Sequence, residues 1–203
     1  MPRIPRQQYV QPHGYYHVIS RTINQAVILK SPDDFGHFKT LMQQAKRQFP
    51  LYLFHYALMG THFHFVVQVL KPEDLPEHLR YLKWSYTQWA RKKYGWKGPL
   101  WRERYRSLPI ENERYLAACG LYVELNPVRA GLCSEPAEYL FSSSRKYYLG
   151  TPDELVDAYT IPHPSEPLLS IARESAIADW LFTRSPAIGS EAFVKQHISS
   201  ACP

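Results

Sequence analysis

Cysteine is scarce in this sequence, and long apolar segments are missing from it. The three cysteines, Cys119, Cys133 and Cys202, are odd in number and have no CxxC spacing. Neither a disulfide framework nor a cysteine-ligated zinc site is therefore expected, and a reducing cytoplasm suits the chain. No apolar run is long enough to cross a bilayer, and Met1-Pro2-Arg3 leads into basic and polar residues. We expect neither a transmembrane span nor a secretory signal.

The composition is that of a folded protein. Hydrophobic residues make up 45% of the 203 residues and aromatic residues 14%, which excludes global disorder and allows a sizeable core. The length suits one domain, or one domain with an appendage. No internal repeat or low-complexity tract is visible.

Charge is distributed unevenly along the chain. The net charge is +6, but residues 79–106 contain nine basic residues and one acidic residue. From residue 151 onward the balance reverses, with seven acidic and three basic residues. We therefore expect a basic body over residues 1–150, which carries the chemistry, and an acidic, proline-containing extension over residues 151–203. A basic body permits a polyanionic partner.

The basic segment is also rich in aromatic rings and contains four of the five tryptophans. Cations neutralise phosphates and flat rings stack on unpaired bases, so this mixture suits single-stranded nucleic acid. The alternative is a helix with a buried aromatic stripe and a solvated basic face, and we expect both to hold. The candidate nucleic-acid contacts are Arg80, Lys83, Arg91, Lys92, Lys93, Lys97, Arg102, Arg104, Arg106, Trp84 and Trp96.

Hydrophobic periodicity and turn signals predict an α+β fold. Strands are expected over residues 14–21, 51–59, 62–70 and 101–110, and helices over residues 32–49, 77–94 and 112–126, the last ended by Pro127. This order makes two strand–helix–strand units of the ferredoxin-like or RRM-like type, an antiparallel sheet with helices packed on one face. The extension is expected to be mostly helical, over residues 168–182 and 190–197.

Two histidines alternate on the third predicted strand. Alternation places His62 and His64 on one face, about 7 Å apart, a span that one metal ion can bridge. An HxH pattern by itself is more often structural. Its position on an apolar strand, directly after a hairpin turn, favours a functional role for both imidazole rings.

Tyr122 and Asn126 lie four residues apart on the last predicted helix, and therefore on one helix face. A carboxamide oxygen is a reasonable third metal ligand beside two imidazoles. The alternatives are a tyrosine that packs in the core and an asparagine that only ends a helix.

These residues carry a resemblance to a known family. The chain resembles the single-tyrosine HUH transposases, which are IS200-like, and most closely the REP-associated tyrosine transposases. The motifs extend over most of the chain: Tyr16-His17-Val18-Ile19-Ser20-Arg21, His62-Phe63-His64, Leu100-Trp101-Arg102-Glu103-Arg104-Tyr105 and Tyr122-Val123-Glu124-Leu125-Asn126-Pro127-Val128-Arg129. The family commonly has Pro-Asn before the first histidine, whereas this chain has Gly60-Thr61.

The resemblance implies a fold, a site and a reaction. It implies an HUH endonuclease palm in which His62, His64 and Asn126 hold a divalent metal, Mg²⁺ with Mn²⁺ as a substitute, and Tyr122 is the nucleophile. It further implies a bacterial transposase that cleaves and rejoins single-stranded DNA at hairpin-containing, REP-like sequences through a covalent 5′-phosphotyrosine. The expected partner is hairpin DNA rather than a membrane, in the cytoplasm at the nucleoid, and the protein is expected to be a monomer or a homodimer.

Three other functions fit parts of the pattern. A non-catalytic single-stranded nucleic-acid-binding protein would share the sheet and its basic, aromatic surface. A metal-dependent nuclease that uses water would share the metal but form no covalent adduct. A related HUH enzyme of plasmid transfer or rolling-circle replication would share the chemistry, although such enzymes are usually larger.

Overall fold

The sheet sets the framework of the molecule. The computed structural model describes residues 10–159, 170, 172–173 and 178–200. Four antiparallel strands lie in the order β2-β3-β1-β4. This is the order of the ferredoxin-like split βαβ fold, so the predicted fold class is confirmed. The strands are β1 (Tyr15–Arg21), β2 (Leu51–Met59), β3 (His62–Val69) and β4 (Arg106–Ile110).

Five α-helices accompany the sheet in the described part of the chain. None of them is both long and apolar enough to cross a membrane. Numbered in chain order, they are α1 (Pro32–Gln48), α2 (Asp74–Tyr94), α3 (Glu113–Arg129), α4 (Ser144–Leu149) and α5 (Glu191–Ser200).

Helices α1 and α2 pack on one face of the sheet, as predicted. The start of α1 is fixed by a capping box between Ser31 and Asp34, with Pro32 at the first helical position. Apolar side chains of both helices pack against the sheet in one core. In it, the ring centroids of Phe38 of α1 and Tyr86 of α2 lie 5.0 Å apart, and Phe38 also contacts Phe63 of β3.

Helix α3 covers the opposite face of the sheet. A second core forms there from buried side chains of all four strands, of α3 and of the C-terminal segment. The prediction of helices on one face thus holds for α1 and α2, while the third helix lies opposite them. The strand residues in this second core are Ile19, Phe54, Ala57, Val66, Leu108 and Ile110.

Two predicted starting residues are wrong. Helix α2 begins at Asp74 rather than Glu77, because Pro76 falls in the first turn, where a missing N–H breaks no helical hydrogen bond. Strand β4 begins at Arg106 rather than Trp101. Trp101 forms only an isolated bridge with Thr22, and its indole N–H donates to the carbonyl oxygen of Lys83 at 3.1 Å, which ties this loop to α2.

Pro127 does not end α3, contrary to the prediction. The helix continues to Arg129, with Pro127 in its last turn. The N–H that proline lacks would have bonded the carbonyl oxygen of Val123. The side-chain amide of Asn126 donates to that oxygen instead, at 3.4 Å, and to the carbonyl oxygen of Tyr122 at 2.9 Å.

Part of the described extension is helical. Helix α5 confirms the helix predicted over residues 190–197. About half of the helix predicted over residues 168–182 lies outside the described residues. Its end continues into one π-helical turn, Trp180–Arg184, which packs in the second core through Phe182.

Candidate active site

Three histidines gather on the face of the sheet that α3 covers. His62 and His64 lie on β3, and His17 lies beside them on β1, where it pairs with Val66. Strand alternation therefore points all three rings toward the same side. The ring centroids of His64 lie 5.1 Å from those of both His62 and His17.

A chain of hydrogen bonds fixes the tautomer of His64. Nδ1 of His17 lies 2.7 Å from the carbonyl oxygen of Phe182, which can only accept, so this nitrogen carries a proton. Nε2 of a neutral His17 is then an acceptor, 2.9 Å from Nδ1 of His64. His64 donates from Nδ1, and its Nε2 keeps a lone pair that can bind a metal.

Burial keeps these rings neutral. It lowers the pKa of His17 and of His62 from the ordinary 6.5 to about 4, and it lowers that of His64 well below its usual range. The positive charge of Arg21 adds to the effect at all three rings. At neutral pH the imidazoles can therefore act as neutral ligands.

The remaining candidate ligands are also oriented by hydrogen bonds. Oγ1 of Thr61 lies 2.9 Å from Nδ1 of His62, and when Nδ1 donates this hydrogen bond the lone pair of Nε2 is left for a metal. The amide nitrogen of Asn126 is occupied by two backbone carbonyls of α3, which leaves its oxygen as the donor atom. Each of the three predicted ligands thus keeps one lone-pair donor, and this set suits a divalent cation such as Mn²⁺. Among the described residues, no group of three or more His, Cys, Asp or Glu is arranged to hold a metal ion.

Tyr122 projects from α3 toward the histidines and is buried. Its ring centroid lies 6.1 Å from that of His17 and 6.2 Å from that of His64, in edge-to-face contacts. Phe182 stacks on the ring at 4.8 Å. The guanidinium of Arg129 lies over the ring, 4.7 Å from its centroid. The structure therefore brings the predicted nucleophile and one predicted ligand together.

The hydroxyl of Tyr122 faces a carboxylate. It donates to Oδ1 of Asp179 at 3.4 Å. Burial raises the pKa of Tyr122 well above its usual value, and the charge of Asp179 raises it further, whereas Arg129 acts in the opposite direction. The phenol is therefore held in its protonated, weakly nucleophilic form.

The segment that makes these contacts is the C-terminal cover, residues 178–188. It places Asp179 on the hydroxyl of Tyr122, Phe182 on its ring and the Phe182 carbonyl on His17. Just before it, the carbonyl oxygen of Ala172 accepts a hydrogen bond from Arg129. The sequence left the role of the extension open, and the structure places this part of it over the tyrosine.

Helix α3 is anchored to the sheet by a buried hydrogen bond between Glu124, close to Tyr122 in the sequence, and His55. Oε1 of Glu124 lies 2.8 Å from Nδ1 of His55 on β2 and accepts from the hydroxyl of Ser143 at 2.9 Å. The ring of His55 fits because position 120 is glycine: a Cβ there would lie 2.3 Å from its Nε2. These contacts fix the rotation of the helix that presents Tyr122.

The predicted basic contacts on α2 divide into paired and exposed side chains. Lys83 is buried and donates to the carbonyl oxygens of Glu103 and Arg104, so it holds the loop before β4. Arg80 is paired with Glu77 at 2.5 Å, and Trp84 of the same helix is 61% exposed. Tyr86 of this helix is buried, so the aromatic rings of α2 divide between the core and the surface.

The end of α2 and the loop after it show the same division. Lys93 bridges Asp33 and Asp34 at 2.5 and 2.7 Å, and so links α2 to α1. Arg91 donates to the carbonyl oxygen of Gly98. Four exposed cations of this region form no side-chain hydrogen bond or ion pair with a described residue: Lys92, Lys97, Arg102 and Arg104. The partly exposed Trp96 donates to the carbonyl oxygen of Pro99, and Arg106 of β4 to that of Arg184.

Four residues of the site were missed by the sequence prediction: His17, Arg129, Asp179 and Phe182. Arg129 and His17 do stand in the motifs that carry the family resemblance, and the alternation of β1 could have placed His17 on the face of His64. Asp179 and Phe182 have no such signal, because they reach the site from a segment more than 50 residues beyond Tyr122.

Comparison with known proteins shows the family of the chain. The sequence profile of the IS200-like transposases matches residues 10–126, more than half of the chain and the part that holds the three histidines, Tyr122 and Asn126. The chain therefore belongs to the IS200-like transposase family. No curated protein matches the sequence significantly.

Two solved structures can be aligned with parts of this chain. A REP-associated tyrosine transposase bound to a REP hairpin has a TM-score of 0.62 at 18% identity, over 81% of this chain and 96% of that chain. A putative transposase from Deinococcus radiodurans R1 has a TM-score of 0.40 at 18% identity, over 58% of this chain and 84% of that chain.

Proposed function

We propose that this transposase belongs to the REP-associated branch of its family. It cleaves and rejoins single-stranded DNA beside hairpins through a covalent 5′-phosphotyrosine formed on Tyr122. The observation that carries the proposal is the contact between Tyr122 on α3 and His64 on β3, whose ring centroids lie 6.2 Å apart. A nucleophile beside a metal-ligand histidine is the arrangement that phosphodiester cleavage requires.

His62, His64 and Asn126 would hold the metal, since each keeps one donor atom while its other polar atom is bonded. A bound Mg²⁺ or Mn²⁺ would polarise a phosphate oxygen and offset the charge that develops there. The residues around these ligands orient the imidazoles and the carboxamide before any metal arrives.

Tyr122 supplies the nucleophilic oxygen. The oxygen attacks phosphorus in line, the bond to the 3′ oxygen breaks, the phenol gives up its proton and the departing 3′ oxygen takes one up. The phosphate then stays on the tyrosine, so a second 3′-hydroxyl can reverse the attack and join strands without ATP. Arg129, which lies over the ring, favours the phenolate.

The described state is a resting state in this proposal. Burial and the charge of Asp179 are the two main causes of the raised pKa of Tyr122, and the C-terminal cover contributes to both through Phe182 on the ring and Asp179 on the hydroxyl. Residues 1–150 carry the chemistry, and the C-terminal cover of the extension over residues 151–203 shields the nucleophile until DNA displaces it.

The DNA partner is proposed from fold similarity and charge. The neighbour in fold was solved with a REP hairpin. This chain has exposed cations on the loop that joins α2 to β4, including Lys97, Arg102 and Arg104. Such side chains neutralise phosphates, and exposed rings such as Trp84 can stack on unpaired bases.

The test is trapping of the covalent adduct. A labelled single-stranded oligonucleotide with a hairpin taken from the DNA that flanks the gene is incubated with Mn²⁺, and protein–DNA species are resolved by denaturing electrophoresis. The wild-type protein is expected to form an adduct whose phosphate maps to Tyr122 by mass spectrometry. Tyr122→Phe is expected to lose the adduct and cleavage while it retains binding.

Tyr115→Phe is the matched control, because Tyr115 lies on the same helix outside the site and should retain the adduct. Cleavage by the wild type without any adduct would indicate a nuclease that uses water. Binding without cleavage would indicate a non-catalytic DNA-binding protein. An adduct that survives in Tyr122→Phe would remove this residue as the nucleophile.

A further inference from the structure

A cleft opens beside His62 that the proposed chemistry does not use. It has a volume of about 590 Å³ and lies between the end of β1, the turn between β2 and β3, and the loop before β4. We refer to it as the Arg21 cleft. Its lining residues are Arg21, Thr22, Ile23, Asn24, Gln25, Thr61, His62 and Arg102.

The cleft collects polar side chains that have no partner among the described residues. Arg21, Asn24, Gln25 and Arg102 are exposed, and none of them forms a side-chain hydrogen bond or ion pair with a described residue. The lining residues include no carboxylate. Two guanidinium groups and two carboxamides therefore line one cavity that has no acidic side chain among its lining residues, and this favours a ligand that is anionic and rich in hydrogen-bonding groups.

The loop that carries the carboxamides has an unusual backbone. Asn24 and Gln25 are consecutive and both left-handed, with φ of 48° and 54°. This conformation is rare for residues other than glycine. Glycine would adopt this backbone conformation without strain, yet neither position is a glycine. Strained backbone in an exposed loop is often found where side chains must be presented to a ligand.

The loop is also held rigidly. Oγ1 of Thr22 donates to the carbonyl oxygens of Ala26 and Thr61, at 2.8 and 3.0 Å. The backbone N–H of Ile23 donates to the carbonyl oxygen of Leu100, and that of Arg102 to Arg21. The loop is thus tied to both of its neighbours, so its side chains are positioned before a ligand binds, which lowers the entropic cost of binding.

We propose that the Arg21 cleft binds the unpaired nucleotides next to the cleaved phosphate and reads their bases, with Asn24 and Gln25 on base edges and Arg21 and Arg102 on phosphates. A carboxamide donates and accepts at once, so it can form paired hydrogen bonds with one base edge and reject others. His62 is one of the residues that line the cleft, so the cleft lies directly beside the proposed metal ligands.

This proposal rests on the proposed function, because it assigns the cleft to the same DNA strand. It adds a residue-level source of sequence preference: the loop over residues 22–26 selects the bases, and the tyrosine and metal ligands perform the cleavage.

The test uses glycine substitutions that keep the backbone. Asn24→Gly and Gln25→Gly remove the carboxamides but suit a left-handed conformation, so the variants should fold at least as well as the wild type. Each full-length protein selects from a pool of hairpin oligonucleotides flanked by randomised single-stranded bases, in EDTA. We expect the wild type to enrich defined bases, and the variants to lose roughly tenfold or more of that preference at one or two positions.

Arg21→Gln and Arg102→Gln test the phosphate contacts. Each is expected to lower the slope of log affinity against log salt by about 0.7 for a single strand, without changing the base preference. Arg47→Gln, an exposed arginine on α1, is the matched control and should leave both unchanged.

The outcomes separate the two proposals. An unchanged base preference in both glycine variants would overturn the proposal for the cleft, even if the Tyr122 adduct forms. A lost preference together with no adduct in the wild type would leave the cleft as a base-reading site and refute the proposed cleavage. Equal selection of all bases by the wild type would also overturn the proposal for the cleft.

Discussion

Nε2 of His17 lies 2.9 Å from Nδ1 of His64, and this bond joins the C-terminal cover to the candidate metal site. The other nitrogen of His17 donates to the carbonyl oxygen of Phe182. The cover therefore helps to decide which nitrogen of His64 carries the proton. The same segment also covers Tyr122. It therefore orients a candidate metal ligand and keeps the phenol of the proposed nucleophile protonated.

Replacement of His17 should weaken metal binding without unfolding the protein. We expect His17→Gln to lower the affinity for Mn²⁺ by roughly 10- to 100-fold, the usual effect of losing a residue that orients a metal ligand. Isothermal titration calorimetry of the DNA-free protein measures it. His78→Gln is the control, since His78 is equally buried but bonded to Phe49, away from the site. Equal losses in both variants would indicate a general effect of packing.

Removal of the charge on Asp179 should activate the tyrosine. Asp179→Asn removes one cause of the raised pKa of Tyr122, and each unit by which that pKa falls increases the phenolate fraction about tenfold. We therefore expect faster adduct formation in single-turnover kinetics with hairpin DNA and Mn²⁺. Glu191→Gln, which changes an exposed acid of α5 paired with Lys195, should leave the rate unchanged. A slower rate in Asp179→Asn would make the carboxylate an aid to catalysis.

Adjacent lysines on α2 should behave differently. Lys92 is exposed and Lys93 is bound to Asp33 and Asp34. Lys92→Gln is expected to lower the salt slope of single-stranded DNA binding by about 0.7 and to leave thermal stability unchanged. Lys93→Gln should lower the melting temperature with little change of slope. The two properties are measured by fluorescence anisotropy and by circular dichroism, and the reverse pattern would place the DNA against Lys93.

Two glycines in helices should respond in opposite directions to alanine. A Cβ at Gly120 would lie 2.3 Å from Nε2 of His55, so Gly120→Ala should destabilise the fold by about 1–3 kcal/mol through overpacking. Nothing lies within 4 Å of a Cβ at Gly36 in α1, so Gly36→Ala should stabilise it by about 0.5–1 kcal/mol. Urea denaturation gives both values. A neutral Gly120→Ala would show that His55 can move.

Stability should fall in mild acid because of the buried histidines. Burial lowers the pKa of His78 to about 4, against 6.5 in the unfolded chain. Above pH 6.5 neither state binds the proton, and between pH 6.5 and 4 only the unfolded state does, so acid favours unfolding. His78→Gln should lose less stability over this range, by on the order of 3 kcal/mol, in urea melts at pH 7 and pH 4.

His13→Gln is the control for this pH dependence, because the side chain of His13 is exposed. It should follow the wild type. A wild-type curve that is flat between pH 7 and pH 4 would show that the histidines become protonated inside the folded protein.

The sequence was sufficient for most of the fold. Strand alternation placed His62 and His64 on one face, and the capping residues Ser31 and Asp34 fixed the start of α1. Helix boundaries at prolines were less certain. Pro127 lies inside α3, where the side chain of Asn126 supplies the hydrogen-bond donor that proline lacks. This contact depends on side-chain geometry, which the helix propensities of single residues do not describe.

The sequence also could not show which basic side chains bind other groups of the protein and which stay exposed to solvent. Residues 79–106 read as one basic surface, yet Lys83 and Lys93 bind groups of the protein and the exposed charge remains on neighbours such as Lys92. Arg21 and Arg102, which pair with no described side chain, come from segments about 80 residues apart and meet only in the folded cleft.

The sequence by itself determined the strands, the helices and the family, because these depend on periodicity, capping and short motifs that act over a few residues. It also determined that Tyr122 and Asn126 share a helix face. The tertiary structure alone decided that Phe182 reaches His17, 165 positions earlier, and that Asp179 reaches Tyr122. Contacts over such separations form only when the sheet and α3 have created the surface on which the C-terminal cover packs.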